Sequence, residues 1–156
     1  DKYTWVDKGS SYIMSDILAA VLFSQLSAGI DIQNKRKGIW QSYNEGLSGW
    51  GASHGIKAPQ IPDNCSQTYH MFYLLFPNLN KRDKFIAYLA GKGISAASHY
   101  QALHSSNFGK KLAPYRYDIC PVATSISNCI VRLPFFYSMT EEQQAYVIET
   151  IYKFQL

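Results

Sequence analysis

Tyr69-His70-Met71-Phe72-Tyr73-Leu74-Leu75-Phe76 is an aromatic and aliphatic run closed by Pro77-Asn78. It is too short for a buried helix and ends on turn-forming residues, so it predicts a β-strand over 69–76. Within it His70 reads as a core histidine with its hydrogen bonds satisfied. The strand fixes the reading of what lies on either side.

Downstream, Asn80 is placed to cap a short helix whose inward face is Phe85, Ile86 and Leu89, stopped by Gly91 and Gly93. Ile94 to Ser98 predicts a second strand. His99 to Asp118, rich in Ser, Gly, Lys and Tyr, predicts a loop. Pro121 can open a helix to about Cys129, and Ile130 to Leu133 predicts a third strand before Pro134. Thr140 and Gln143 have capping-box spacing, with Val147, Ile148, Ile151 and Phe154 as the buried stripe of a last helix.

Upstream, Ser15-Asp16 opens a helical pattern, a capping hydroxyl followed by a carboxylate at the positive helix end. Ile17, Leu18, Val21, Leu22, Leu26 and Ile30 recur at three- and four-residue spacing, and Trp40, Tyr43 and Leu47 continue the stripe. Gly29 and Gly38 each cost a helix about 1 kcal/mol relative to Ala. The pattern predicts one long helix or two in series, ending near Gly46. Residues 49–62 read as an irregular connection. The order is helix, β-α-β, loop, α-β-α: an α+β layer arrangement, a small sheet with helices packed on it.

Composition bounds the function. The 156 residues are 47% hydrophobic, enough for one core, while 17% charged is low against roughly 25% for soluble domains, so part of the surface is expected to be covered. A net charge of +4 with one dense cluster, Lys35-Arg36-Lys37, argues for a solvated helix face and against nucleic acid. No apolar run approaches the roughly 20 residues of a membrane span. Cys65, Cys120 and Cys129, odd in number and without CxxC spacing, argue against a disulfide framework or a metal site. They read as buried reduced thiols of a cytoplasmic protein. Asp1-Lys2-Tyr3 begins without Met or a signal pattern, as a fragment would.

Two stretches carry polar chemistry. His99-Tyr100-Gln101-Ala102-Leu103-His104 puts two imidazoles and a phenol in a loop that ends a strand, followed by Ser105, Ser106, Gly109, Lys110 and Lys111. That composition suits an anionic, hydroxylated ligand; a polar surface loop with one half-buried histidine fits it equally. Gly9-Ser10-Ser11-Tyr12, ahead of a helix start, is a possible phosphate seat or simply a cap. His54 carries no such signal. There is no GxSxG elbow, no P-loop, and no lysine in an apolar stretch of the kind that activates an amine. The residues by themselves compose no complete active site.

Three segments in order resemble the DegT-type sugar aminotransferases (the DegT/DnrJ/StrS group). Gly9-Ser10-Ser11-Tyr12-Ile13-Met14-Ser15-Asp16 with Ala19-Ala20 and Gln25-Leu26 is similar to the family's Gly-x-Asn-Tyr-Arg-Met-Ser-Asp helix start. His99-Tyr100-x-x-Leu103-His104 resembles its His-Tyr-x-Pro-Leu-His loop. Arg132-Leu133-Pro134 and Ser138 to Gln143 resemble its Leu-Pro strand and final helix.

The resemblance implies the C-terminal small domain of an aspartate-aminotransferase-like, fold type I enzyme dependent on pyridoxal 5'-phosphate. Residues 1–47 would be the end of the large domain and the connecting helix, and 48–156 the small domain. The cofactor lysine would lie before Asp1, leaving this piece without catalytic residues and inactive alone. Ser11, where the family has Asn, and Tyr12 would contact the cofactor phosphate of the neighbouring subunit of a homodimer; Ile13 replaces the family's Arg. His99, Tyr100 and His104 would face the nucleotide sugar, with Ala102 in place of the family's Pro. The Gly-Ser-Ser-Tyr variant and the Leu-His-Ser-Ser-x-Phe-Gly-Lys run look most like the subgroup that aminates C4 of dTDP-4-keto-6-deoxy-D-glucose from glutamate, for lipopolysaccharide-type glycans. The other readings are a sugar 3-dehydratase of the same family, with histidine for the lysine, and a free-standing α+β ligand-binding module.

Overall fold

Glycine placement decides how the first half of the chain is built. In the computed structural model, which describes residues 7–112 and 120–155, helix α1 covers Asp16–Ser27 and α2 covers Gly29–Ser53. Two helices in series therefore form, parted at Ala28. The Ser15 hydroxyl accepts from the Leu18 N–H at 3.4 Å, and Asp16 sits in the first turn, as the spacing predicts. The chain divides into two compact units, Asp1–Ile32 and Gln33–Leu156; the expected boundary at 47/48 lies inside α2. In the first unit every residue of α1 is exposed, including Ile17, Leu18, Val21, Leu22 and Leu26.

The expected helix end near Gly46 is wrong by two turns. Gly46 lies inside the helix, where an added Cβ would stand 2.9 Å from Cδ1 at the end of the Ile148 side chain. Gly51 lies under the returning chain, where a Cβ would meet the Ile56 carbonyl oxygen at 2.9 Å. The stop comes at Gly55, whose φ of +66° lets the Ile56 N–H reach back to the Gly51 carbonyl at 2.8 Å.

The expected strand at 69–76 shrinks to β1, Tyr73–Leu75. Tyr69 takes a φ of +47°, a left-handed conformation that breaks extended pairing before His70. Strand β2 is Ala97–Ser98 and β3 is Ile130–Arg132; the antiparallel order is β1-β3-β2. Residues 49–62 are not wholly irregular, since Lys57 bridges Leu75 on the free edge of β1.

Asn78, not Asn80, caps helix α3 (Leu79–Ala90), accepting from the Lys81 N–H at 3.0 Å. Lys81 is the third helical residue, whose amide has no intrahelical acceptor and takes the Asn78 side chain instead. The expected loop at 99–118 contains a 3₁₀ turn, Leu103–Ser105, and helix α4, Asn107–Leu112; its remainder lies outside the described residues, as do residues 1–6. Helix α5 (Pro121–Cys129) and helix α6 (Glu141–Tyr152) form where expected, α6 with a complete capping box of Thr140 and Gln143.

Alternation sorts the sheet into two faces. Phe72, Leu74, Phe76, Val131 and Leu133 are buried with Trp40, Tyr43, Leu47 and Trp50 of α2, Phe85 and Leu89 of α3, and Val147 and Ile151 of α6. Each large side chain so buried stabilises by about 1.5–3 kcal/mol. Polar cross-links set the helix positions. The Tyr43 hydroxyl donates to the Pro134 carbonyl at 3.0 Å, Gln144 Nε2 to the Ile39 carbonyl at 2.7 Å, and the Tyr88 hydroxyl to the Thr150 carbonyl at 3.1 Å.

Two readings of reactive groups are corrected. His70 is exposed and outside the strand, its Nδ1 3.1 Å from Thr68 Oγ1, because the turn at Tyr69 carries it out of the alternation. Cys65 and Cys120 are exposed and Cys129 half-buried, all free; they fall in turns and at a helix end rather than on the core stripe.

Glycine substitutions should separate packing from propensity. Gly46→Val should destabilise by about 1–3 kcal/mol through overpacking against Ile148. Gly49→Ala, where no atom lies within 4 Å of the added Cβ, should stabilise by about 0.5–1 kcal/mol. Equal signs in denaturant unfolding would contradict the account.

Tyr43→Phe should cost about 1 kcal/mol by removing a buried donor. Burial also pushes the Tyr43 phenol above its ordinary range. A raised folded value gives stability that is full below the unfolded value and lost as pH climbs past it, from about pH 10 upward. The Phe variant should lose less stability across that alkaline window than the parent.

Candidate functional site

Strand β2 is only two residues long, and it delivers His99 to the end of the sheet. In register, Ala97 opposes Arg132 and Ser98 opposes Val131. Continued alternation puts His99 on the face turned away from Leu74 and Val131, with Tyr73, Leu75 and Ile130. The imidazole is half-buried, and its Nδ1 is buried without a partner. Tyr100 stands edge-on to it, ring centroids 5.0 Å apart at 63°, and is 80% exposed. His99 and Tyr100 thus form one unit: a sheltered imidazole beside an open phenol.

His104 goes elsewhere. It sits in the 3₁₀ turn with Nε2 2.9 Å from Thr124 Oγ1 on α5, a contact that pins the turn to that helix. The turn is closed by its own hydroxyls, Ser105 Oγ donating to the Ala102 carbonyl at 2.8 Å and Ser106 Oγ to the Leu103 carbonyl at 2.7 Å. Ser106 Oγ also accepts from the Gly109 N–H at 2.9 Å, and a Cβ at Gly109 would collide with the Leu103 carbonyl oxygen. So Ser105, Ser106 and Gly109 build the turn, while Lys110 and Lys111 are exposed on α4.

In the other unit, Ser11 and Tyr12 lie in the non-helical segment just before the Ser15 cap. Both are exposed, Tyr12 at 91%. Among the described residues every lysine is exposed or half-buried, without the apolar cover that activates an amine. Also among the described residues, no three His, Cys, Asp or Glu side chains gather as a metal site, and no helix is long and apolar enough to cross a membrane.

Sequence reading missed a group beside His99. Trp40, Gln67, His70 and Tyr73 line one cavity with it. Only Tyr73 had a legible signal, its odd position in the alternation of β1.

The small antiparallel sheet under helices has the fold of one part of solved sugar aminotransferases, which are fold type I enzymes. DesV of S. venezuelae superposes with a TM-score of 0.84 at 25% identity, over 97% of this chain and 39% of that one. The sugar aminotransferase Spr1654 of Streptococcus pneumoniae, solved with its cofactor in the pyridoxamine form, superposes with a TM-score of 0.79 at 26% identity, over 88% and 34%.

The chain belongs to the DegT/DnrJ/EryC1/StrS aminotransferase family, whose model matches residues 1–152. That family depends on pyridoxal phosphate. Among curated relatives, the UDP-N-acetyl-3-dehydro-α-D-glucosamine 3-aminotransferase of Acidithiobacillus ferrooxidans is 30% identical over 70% of this chain and 30% of its own length. The dTDP-3-amino-3,6-dideoxy-α-D-galactopyranose transaminase of Aneurinibacillus thermoaerophilus is 24% identical over 98% and 40%. The chain therefore spans less than half the length of these relatives.

Removing the pin should loosen the turn without unfolding the core. His104→Ala should cost about 1 kcal/mol and speed amide exchange across 103–112, leaving exchange in α6 unchanged. Uniform acceleration in both regions would show that His104 supports the whole fold instead.

Proposed function

We propose that this chain is the C-terminal part of a pyridoxal-phosphate-dependent aminotransferase. The whole enzyme transfers the amino group of glutamate to C4 of dTDP-4-keto-6-deoxy-D-glucose, in nucleotide-sugar synthesis for a lipopolysaccharide-type glycan. The observation that carries the reading is the family match over residues 1–152 together with the His99-Tyr100 pair set at a sheltered sheet end. The choice of a dTDP sugar and of C4 rests on the Gly9-Ser10-Ser11-Tyr12 variant and the 103–110 run. Relatives that act on UDP- and dTDP-linked sugars support the nucleotide-sugar class without fixing the carbon.

The division of labour follows from the residues. When bound, the cofactor supplies the electron sink for moving the amino group. Ser11 and Tyr12 donate hydroxyl hydrogen bonds to its phosphate across a homodimer interface. His99 and Tyr100 orient the sugar, the half-buried imidazole from the side and the exposed phenol from the open edge. His104 acts as a positioning residue, holding the turn through Thr124. The lysine that carries the cofactor comes from a part of the protein outside this sequence. The uncovered apolar face of α1 supports a subunit or domain partner there. The exposed free thiols of Cys65 and Cys120 suit the reducing cytoplasm.

The 156-residue chain, given cofactor, glutamate and the 4-keto sugar nucleotide, should release no amino sugar. The protein extended upstream should release it from the 4-keto but not the 3-keto isomer. Product from the short chain, or preference for the 3-keto substrate, would overturn the corresponding part of the reading. In the extended protein Ser11→Ala should weaken cofactor affinity about fivefold, the value of one hydrogen bond near 1 kcal/mol.

A further inference from the structure

Between helices α2 and α6 the packing gives way to a cleft. A Cβ added at Gly46 would meet the tip of the Ile148 side chain at 2.9 Å, so the space beside α2 is filled there. About two turns earlier, at Gly38, an added Cβ would find nothing within 4 Å. The cleft measures about 560 Å³, within the range of roughly 300–1,000 Å³ of small-molecule sites. Gln144 is part of its lining, but that side chain is buried and spends Nε2 on the Ile39 carbonyl at 2.7 Å.

The two walls carry opposite charge. Lys35 stands on the α2 wall, and Glu141 and Glu149 stand on the α6 wall. All three are exposed, and none is in an ion pair; among the described residues the one ion pair joins Arg82 to Asp83. The apolar lining between the walls is Ile39, Met139 and Ile148, the first two buried and the third half-buried. Gly38 and Ala145 line the cleft as well and add almost no bulk to it.

This lining narrows the occupant. A lone anion would meet two carboxylates, and a lone cation would meet the Lys35 ammonium. A plain hydrocarbon would cover the apolar lining and leave both charged walls without a partner. A zwitterion with a branched hydrocarbon body matches all three parts. Its carboxylate faces Lys35, its ammonium faces Glu141 or Glu149, and its body lies on Ile39, Met139 and Ile148.

We infer that the α2–α6 cleft is a binding site for a free aliphatic α-amino acid. Lys35, Glu141 and Glu149 set its charge specificity, and Ala145 and Gly38 keep its volume open. Exposed ion pairs contribute little in water, so the affinity belongs in the millimolar range. The cleft uses none of Ser11, Tyr12, His99 or Tyr100, so its occupancy does not hang on the reaction proposed above.

The test follows the amide signals of the ¹⁵N-labelled chain as L-leucine is added, with no cofactor or sugar nucleotide. Gly38, Ser42 and Ala145 should shift together and saturate, while the amides of α3 stay in place. 4-Methylpentanoate, which lacks the amine, and 3-methylbutylamine, which lacks the carboxylate, should each bind at least threefold more weakly. Glu149→Gln should weaken leucine about threefold, the value of one exposed ion pair. Salt near 1 M, which screens exposed charges beyond about 3 Å, should weaken it too. Ala145→Leu, an exposed helix position given a good helix former, should fill the cleft and abolish the shifts with α3 unchanged. Shifts that never saturate, equal affinity for either singly charged analogue, or full affinity in both Glu149→Gln and Ala145→Leu would each overturn the site.

Discussion

The packing of α2 against α6 is the constraint on which the larger unit depends. Gly46 permits it by leaving room for Ile148, and the two polar links from Tyr43 to Pro134 and from Gln144 to Ile39 hold it. Tyr43 and Leu47 are fully buried, and Tyr43 stacks on Phe72 with centroids 5.3 Å apart. Because Phe72 leads directly into β1, the depth of α2 in the core sets where the sheet lies. A sheet of three strands, none longer than three residues, has few ladder hydrogen bonds of its own. Its position is therefore imposed by side-chain packing from one face.

That one-sidedness has a functional consequence. With Leu74 and Val131 committed to the core, their neighbours in the alternation, Tyr73, Ile130 and Arg132, are turned the other way, Ile130 still buried and the other two half-buried. The left-handed turn at Tyr69 adds to this. It lifts His70 out of the strand while the Tyr69 ring itself packs edge-on against Trp40, centroids 5.8 Å apart. A bulky residue at positive φ costs on the order of 1–3 kcal/mol, held here by that packing. The strained residue thus joins the core ring cluster to the first polar group of the outer face.

Local signals in the sequence carried the elements whose stability is local. The capping box at Thr140, the Pro121 helix start and the apolar stripe of α6 are legible because each is decided within a few residues. The end of α2 was not, since Gly46 as a breaker and Gly46 as a contact with a residue a hundred positions later look identical in one dimension. The β1 boundary failed for a related reason: Tyr69-His70-Met71 has strand composition, but Tyr69 takes a left-handed conformation with its ring edge-on to Trp40, a residue distant in sequence. In the site, His99-Tyr100 was readable as a pair because the residues are adjacent. That His104 faces Thr124, and that Gln67 and Trp40 join His99, are facts of tertiary packing with no local signature.

The same contrast explains why the two imidazoles of one short motif have different duties. His99 leaves the sheet just after the paired residues of β2, beside Ile130, and its Nδ1 is buried without a partner. His104 comes after Ala102 and the start of a 3₁₀ turn, and five residues of chain rotate its ring toward α5. Once there it satisfies a threonine and fixes the turn that Ser105 and Ser106 close from within. A ligand taking its hydrogen bond from His104 Nε2 would have to break that contact. His104 is thus committed to the turn by one hydrogen bond, while the Nδ1 of His99 has no partner among the described residues.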